Sequence, residues 1–180
     1  CYETPQGPAC FRLGAHLRRL ADSAKVYRMD PPYTEEQLTE ATLETIRVNN
    51  FSHCYIRPII YRGYDSLGIT PFPCPIEVAI LVWEWGTYYT KEALEQGLNV
   101  KISTWARMAP NTLPTMTKCV ANYANSQLVK MEASVEGYDE GIALDTDGNL
   151  SEGSGQNVFI VRDGIIYTPP IASSVLLGIT

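Results

Sequence analysis

The stretch ARMAPNTLPTMTK, residues 106–118, constrains this chain more than any other. Its two prolines each lack a backbone donor and fix φ, so neither a helix nor an interior strand runs through it. Before it, helical and strand-like patterns alternate. After it come one helical pattern and then short strand-like runs cut by turn residues. A chain divided in this way is expected to be α+β with two unequal lobes. The expected boundaries are a small α/β domain over 1–105, an interdomain loop over 106–113, and the first part of a second domain over 114–180.

The first part reads in detail. YETPQGPACFRL resembles two short strands around a Pro-Gln-Gly turn. GAHLRRLADSAKVYRM places Leu17, Leu20, Ala21 and Ala24 at three-and-four spacing, which predicts an amphipathic helix ended by Pro31 and Pro32. TEEQLTEATLETIRVNN predicts a second helix, with Thr34 as its cap and acidic residues in its first turn. SHCYIRPIIYRGY predicts a strand, and EVAILVWEW, the most apolar run, a buried one. LNVKISTW predicts another strand. Beyond the turn-rich stretch, ANYANSQLVKMEASVEG is helical in pattern, and the segment to TPP alternates strands with Asp-Gly and Gly-rich turns. LGIT occurs at 67–70 and 177–180 with unrelated flanks, so it is no repeat. The opening reads as a hairpin already under way and the close lacks a finishing element, so an internal fragment cut at both ends is expected.

Charge narrows the function classes. A net charge of −6 argues against nucleic acid or an anionic membrane as partner. No apolar run reaches the length of a membrane span, and the opening residues show no signal-peptide pattern. The five cysteines lack CxxC spacing, which fits free thiols in a reducing compartment and makes the cytoplasm the expected location. His16 and His53 have no partner spacing for a metal or a triad. DTDG at 145–148 lacks the remaining ligands of a calcium loop and reads as a β-turn.

One residue stands out chemically. Lys118 lies alone in TMTKCVANY, among small and weakly apolar neighbours. Read locally it is either a solvated loop lysine or an amine set to form a Schiff base.

FRLGAHLRRLADSAK, YIRPIIYRG, STWARMAPNTLPTMTKCVANYANSQL, GYDEGIALDTDGNLSEGSGQNVFIVRDG and TPPIASSVLLGIT resemble, in this order, the bacterial branched-chain amino-acid aminotransferases. These are fold-type IV enzymes dependent on pyridoxal 5′-phosphate, and the resemblance spans nearly the whole chain. It implies a larger, β-barrel-like C-terminal lobe and covalent attachment of the cofactor to Lys118. An amine that forms an imine and then moves a proton must be partly neutral, so burial and nearby positive charge are expected around it.

The resemblance assigns further residues. Glu152 faces the pyridine nitrogen and keeps it protonated; read alone, it is a solvated turn residue. Tyr123 bonds the phenolic oxygen; read alone, it is a half-buried helix aromatic. Arg19 clamps the phosphate, while Arg18, about 100° round the helix, faces solvent. Ile179 and Thr180 fall at a helix N-terminus that binds the same phosphate. Tyr55 and Trp105 line the substrate pocket, and Arg57 receives the distal carboxylate of glutamate; a strand-end arginine and a core tryptophan are the alternatives. The implied reaction is transamination between L-leucine, isoleucine or valine and 2-oxoglutarate, in a homodimer or higher homo-oligomer. A D-amino-acid transaminase or aminodeoxychorismate lyase of the same fold is one rival reading, argued against by YIRP. A catalytically incompetent fragment is the other.

Overall fold

The structure, a computed structural model, describes residues 1–87 and 89–179. The chain forms two compact units, one of residues 1–87 with Ile179, the other of residues 89–178. The units therefore divide ahead of the 106–113 loop expected as the boundary. The reason is strand pairing: Val100–Ile102 lies parallel to Glu140–Ile142, which ties the residues before the loop into the second unit.

In the first unit, helices α1 (Leu13–Val26) and α2 (Glu35–Val48) pack on each other and on a two-stranded antiparallel sheet, β1 (Tyr55–Arg62) with β2 (Ile76–Trp83). The α2 start forms as its sequence predicts. Thr34 Oγ1 accepts the Gln37 N–H, and the Gln37 side chain accepts the Thr34 N–H, a complete capping box. Leu17, Ala24, Leu38 and Ile46 are buried between the layers. Thr42 shares that core, where its hydroxyl is satisfied by the Leu38 carbonyl at 2.7 Å. Arg62 closes the end of α1 by donating to the carbonyls of Tyr27 and Arg28, both at 3.1 Å. The expected opening hairpin is reduced to one bridge, Tyr2 with Ala9.

The expected buried strand EVAILVWEW is a strand, but none of residues Ile76–Trp83 is buried. Among the described residues its pairing partner in the sheet is β1 alone and the helices pack on the sheet from one side, so every residue of the strand stays at least partly solvated. Pro58 in β1, which has no N–H to give a further neighbour, suits an edge position.

The second unit begins with a short helix, α3 (Lys91–Gln96), capped by Thr90. A three-stranded sheet follows in the order β3 (Val100–Ile102), β4 (Glu140–Leu144), β5 (Leu150–Gly153), with α4 (Asn122–Val135) packed on β4. Val129 and Ala133 are fully buried. Contact between α4 and β4 is close enough that a Cβ on Gly141 would lie 2.7 Å from the Val129 carbonyl oxygen. Hairpin β6 (Ile160–Arg162) with β7 (Ile165–Tyr167) turns through Asp163 and Gly164, both at positive φ, as an Asp-Gly type I′ turn requires. DTDG is the turn expected of it: the Asp145 carboxylate accepts the N–H groups of Asp147 and Asn149. The described residues contain no His, Cys, Asp or Glu cluster able to hold a metal, and no helix long and apolar enough to cross a membrane. Among them all five cysteines are free.

Lys101 fastens β3 to α4 through Glu132 and Glu136, each at 2.7 Å. The Lys101 ammonium, followed by the Ser103 hydroxyl, holds the Glu132 carboxyl down to about 2 against an ordinary 4.5. The folded pKa lies below the unfolded one, so the folded state binds fewer protons in this interval. Its stabilising contribution is full above about 4.5 and disappears as pH falls toward 2. Urea midpoints of Glu132→Gln and the parent chain should differ at neutrality and converge near pH 2. A gap as wide near pH 2 as at neutrality contradicts this coupling.

Candidate active site

Glu152 sits on β5 where the strand is irregular. Ile142 pairs with Gly153 and Leu144 with Leu150, a register shift that puts an extra residue into β5. A bulge breaks the usual in-out alternation, and Ser151, Glu152 and Gly153 are all buried in succession. The Glu152 carboxylate is thereby carried inside, with 7% of the residue exposed.

Three donors meet it there. Arg107 Nη2 lies 2.7 Å from Oε1. The Leu176 N–H reaches Oε2 at 2.9 Å, and Asn157 Nδ2 reaches the same oxygen at 3.4 Å. A carboxylate offers about four lone-pair sites, so among the described residues one acceptor position is left. Burial pushes the Glu152 carboxyl above its ordinary value; the Leu176 N–H, Arg107 and Lys118 pull it back without cancelling the rise.

Arg107 is itself buried, at 4% exposure, in the stretch where an interdomain loop was expected. Its N–H bonds the Leu144 carbonyl at 2.8 Å, so it continues the β3–β4 pairing. Its Nη1 donates to Asn125 Oδ1 at 3.0 Å and to the Ser126 hydroxyl at 3.3 Å, both on α4. Sequence reading missed this residue. The available signal was chemical: a glutamate expected to stay inside requires a cation, and Arg107 is the arginine of the turn-rich stretch.

The lysine loop is pinned on both sides. Thr117 is buried and its hydroxyl bonds the Pro114 carbonyl at 2.8 Å. Asn122, at the start of α4, donates to the Thr117 carbonyl at 3.0 Å and to Pro114 at 3.2 Å. Between these anchors Lys118 Nζ donates to the hydroxyl of half-buried Tyr123 and lies 5.1 Å from the centre of its ring. The expected burial of Lys118 is not found: the residue is exposed, on a loop anchored through Thr117 and Asn122. A small cavity beside it, about 40 Å³, is lined among others by Arg107, Thr117, Asn122, Tyr123 and Glu152. Two buried polar atoms on that wall, Arg107 Nε and Asn122 Oδ1, have no hydrogen-bond partner among the described residues. Trp105, in the same unit, is 48% exposed, so it is not a core tryptophan.

The first unit carries its own cluster. Tyr55 and Arg57 share one face of β1, and Tyr55 pairs with Trp83 across the sheet. The Tyr55 ring centre lies 5.0 Å from that of Trp83 and 4.8 Å from that of Trp85. The Arg57 guanidinium carbon lies 5.3, 5.2 and 6.0 Å from the centres of Tyr55, Trp83 and Trp85. Three aromatic rings, worth about 0.5–1 kcal/mol each at exposed sites, surround the guanidinium of Arg57, which is itself exposed. The sequence expectation named Tyr55 and Arg57 but not the tryptophans, Trp83 at the end of β2 and Trp85 two residues on, whose i, i+2 spacing was the available sign.

Arg19 and Ile179 also fall in this unit. Arg19 is half-buried on α1, whereas Arg18 is exposed and ion-paired with Glu35 at 3.3 Å, as its helix position predicts. Ile179 lies in coil after a 3₁₀ turn, Ile171–Ser173, and the expectation for Thr180 lies outside the described residues.

Lys118 on its pinned loop, Tyr123 bonded to it and the buried, paired Glu152 all lie in the second unit. The chain belongs to the amino-transferase class IV family, whose profile matches residues 5–180. It is 46% identical to the branched-chain-amino-acid aminotransferase of Salmonella typhimurium, an alignment covering all of this chain and 59% of that protein. The solved branched-chain amino acid aminotransferase of Escherichia coli superposes with a TM-score of 0.96 at 47% identity, over 99% of this chain and 59% of that one. The branched-chain amino acid aminotransferase of Thermobaculum terrenum, solved in its PLP-form, superposes with a TM-score of 0.84 at 34% identity, over 94% and 54%. The fold is thus that of the fold-type IV aminotransferases, and the chain spans about 59% of the length of the curated relatives it matches.

The buried ion pair makes a stability prediction. Arg107→Met leaves Glu152 buried without its cation and should cost about 3–5 kcal/mol in denaturant unfolding. Arg107→Met with Glu152→Leu should recover most of that loss. A single variant as stable as the parent would contradict the pairing.

Proposed function

We propose that this protein transfers an amino group between an L-branched-chain amino acid and 2-oxoglutarate, using pyridoxal 5′-phosphate. The observation that carries the reading is Lys118 bonded to Tyr123 in the same unit as the buried, burial-raised carboxyl of Glu152. The donor set fits the cofactor. A reachable amine suits its aldehyde, a buried carboxyl with an open acceptor position suits a pyridinium N–H, and Arg19 suits its phosphate. When bound, the cofactor supplies an electron-withdrawing ring that acidifies Cα of the amino acid.

The chain's own residues then divide the work. Lys118 Nζ holds the cofactor covalently between turnovers and, when released, takes and returns the Cα proton. Tyr123 keeps that nitrogen aimed through its hydroxyl. Glu152, as the carboxylate paired with Arg107, accepts the ring N–H and so keeps that nitrogen protonated, and Arg107 fixes its orientation. Tyr55 and Trp105 supply apolar contact for leucine-like side chains, and Arg57 receives the second carboxylate of glutamate. That choice is supported by the exposure of Arg57 within its aromatic surround. Ile179 and Thr180 complete the phosphate contacts. In the same reading the enzyme is a cytoplasmic homodimer or higher homo-oligomer, without nucleic-acid or membrane partners. Its acidic charge and free thiols support this.

Half-reactions of the full-length protein, followed by cofactor absorbance, test the proposal. L-leucine should convert the cofactor and D-alanine should not; the reverse result makes it a D-amino-acid enzyme. Arg57→Ala should weaken L-glutamate and 2-oxoglutarate by about 10- to 100-fold, the loss of a charged hydrogen bond, with L-leucine little changed. Equal losses for both substrates would remove Arg57 from carboxylate recognition.

A further inference from the structure

The five cysteines play no part in the chemistry above, yet three of them lie together in the first unit. Cys1 Sγ and Cys54 Sγ lie 3.3 Å apart although 53 positions separate them in sequence. Their backbones exchange hydrogen bonds in both directions: the Cys1 nitrogen donates to the Cys54 carbonyl at 2.6 Å, and the Cys54 N–H to the Cys1 carbonyl at 3.2 Å. A pair of residues that exchange both bonds stands about 5.5 Å apart between Cα atoms. That separation is within the range a disulfide spans without moving the backbone.

The two sulfurs are not equivalent. Cys54 is buried at 8% exposure, while Cys1 is half-buried. Cys1 Sγ also makes a long contact of 3.8 Å to the Ser52 carbonyl, which does not hold it away from Cys54. Cys10, the third thiol, is pushed up by burial, and Cys54 adds to that rise, so it forms thiolate less readily than an ordinary cysteine.

We propose that Cys1 and Cys54 are a reversible dithiol site that reacts with small-molecule disulfides to close a Cys1–Cys54 bond. The Cys1 thiolate attacks one sulfur of the small disulfide, breaking its S–S bond and releasing one thiolate, which takes up the Cys1 proton. The Cys54 thiolate then attacks Cys1 Sγ, forms the protein disulfide and expels the second small thiolate, which takes up the Cys54 proton. The protein loses two electrons and two protons, and the small disulfide gains them. Cys54 immediately precedes Tyr55, so closure fixes the start of β1, the strand that carries Tyr55 and Arg57. The site stands independently of the proposed transamination.

The test treats the reduced full-length protein with oxidised glutathione and follows intact mass and alkylated peptides. The expected result is a loss of two hydrogens, one cross-linked peptide pair containing Cys1 and Cys54, and full reversal by dithiothreitol. In Cys54→Ser, the glutathione adduct on Cys1 should persist instead of resolving. A persistent adduct on Cys1 in the parent protein, a cross-link through Cys10, or no reaction at either sulfur would each overturn the proposal. Should the variant fail to fold, the peptide map of the parent protein decides alone.

Discussion

A carboxylate taken out of water must be paired, and much of the second unit is organised around meeting that demand for Glu152. The β5 bulge turns the side chain inward. Arg107 answers it from the continuation of β3, and the Leu176 N–H and Asn157 answer it from segments beyond the strand. Leaving any such charge unpaired costs several kcal/mol, roughly the size of a domain's whole stability margin. The pairing therefore brings three distant parts of the sequence to one place. Asn157 is held in turn by the Leu176 carbonyl at 2.9 Å, and a Cβ on Gly178 would come within 2.3 Å of its Oδ1, so a side chain there would have to displace the Asn157 amide.

The lysine depends on the same construction. Arg107 bonds Asn125 and Ser126 on α4, and Asn122 on that helix ties down Thr117. A helix fixed to the glutamate's counter-ion thus also fixes the residue before Lys118. An exposed ammonium on an anchored loop is compatible with covalent chemistry because the loop, rather than burial, limits where the nitrogen reaches. In the first unit the comparable element is the aromatic surround of Arg57, which restrains a flexible cation at little entropic cost.

Local signals were legible wherever the controlling interactions are local. The α2 capping box, the Asp163-Gly164 turn, the DTDG turn and the outward Arg18 all form as their sequences indicate. Lys118, Tyr123 and Glu152 were legible only through family resemblance, since none of them differs locally from a loop lysine, a helix aromatic or a turn glutamate. What stayed hidden depends on pairing between distant segments. EVAILVWEW looked buried because apolarity does not reveal how many strands and layers will cover it. The expected boundary at 106–113 ignored that Val100–Ile102 would pair with β4. Arg107 was hidden inside a stretch read as a connector, because prolines mark a turn but say nothing of which side chain in it points inward.

The central claim is that Lys118 holds the cofactor covalently. The most direct measurement reduces the full-length protein with borohydride in the presence of pyridoxal 5′-phosphate and maps the labelled peptide. One stoichiometric adduct on Lys118, absent in Lys118→Ala, is the predicted result. Label on another lysine, or spread across Lys25, Lys91, Lys101 and Lys130 with Lys118 unmodified, would contradict the account.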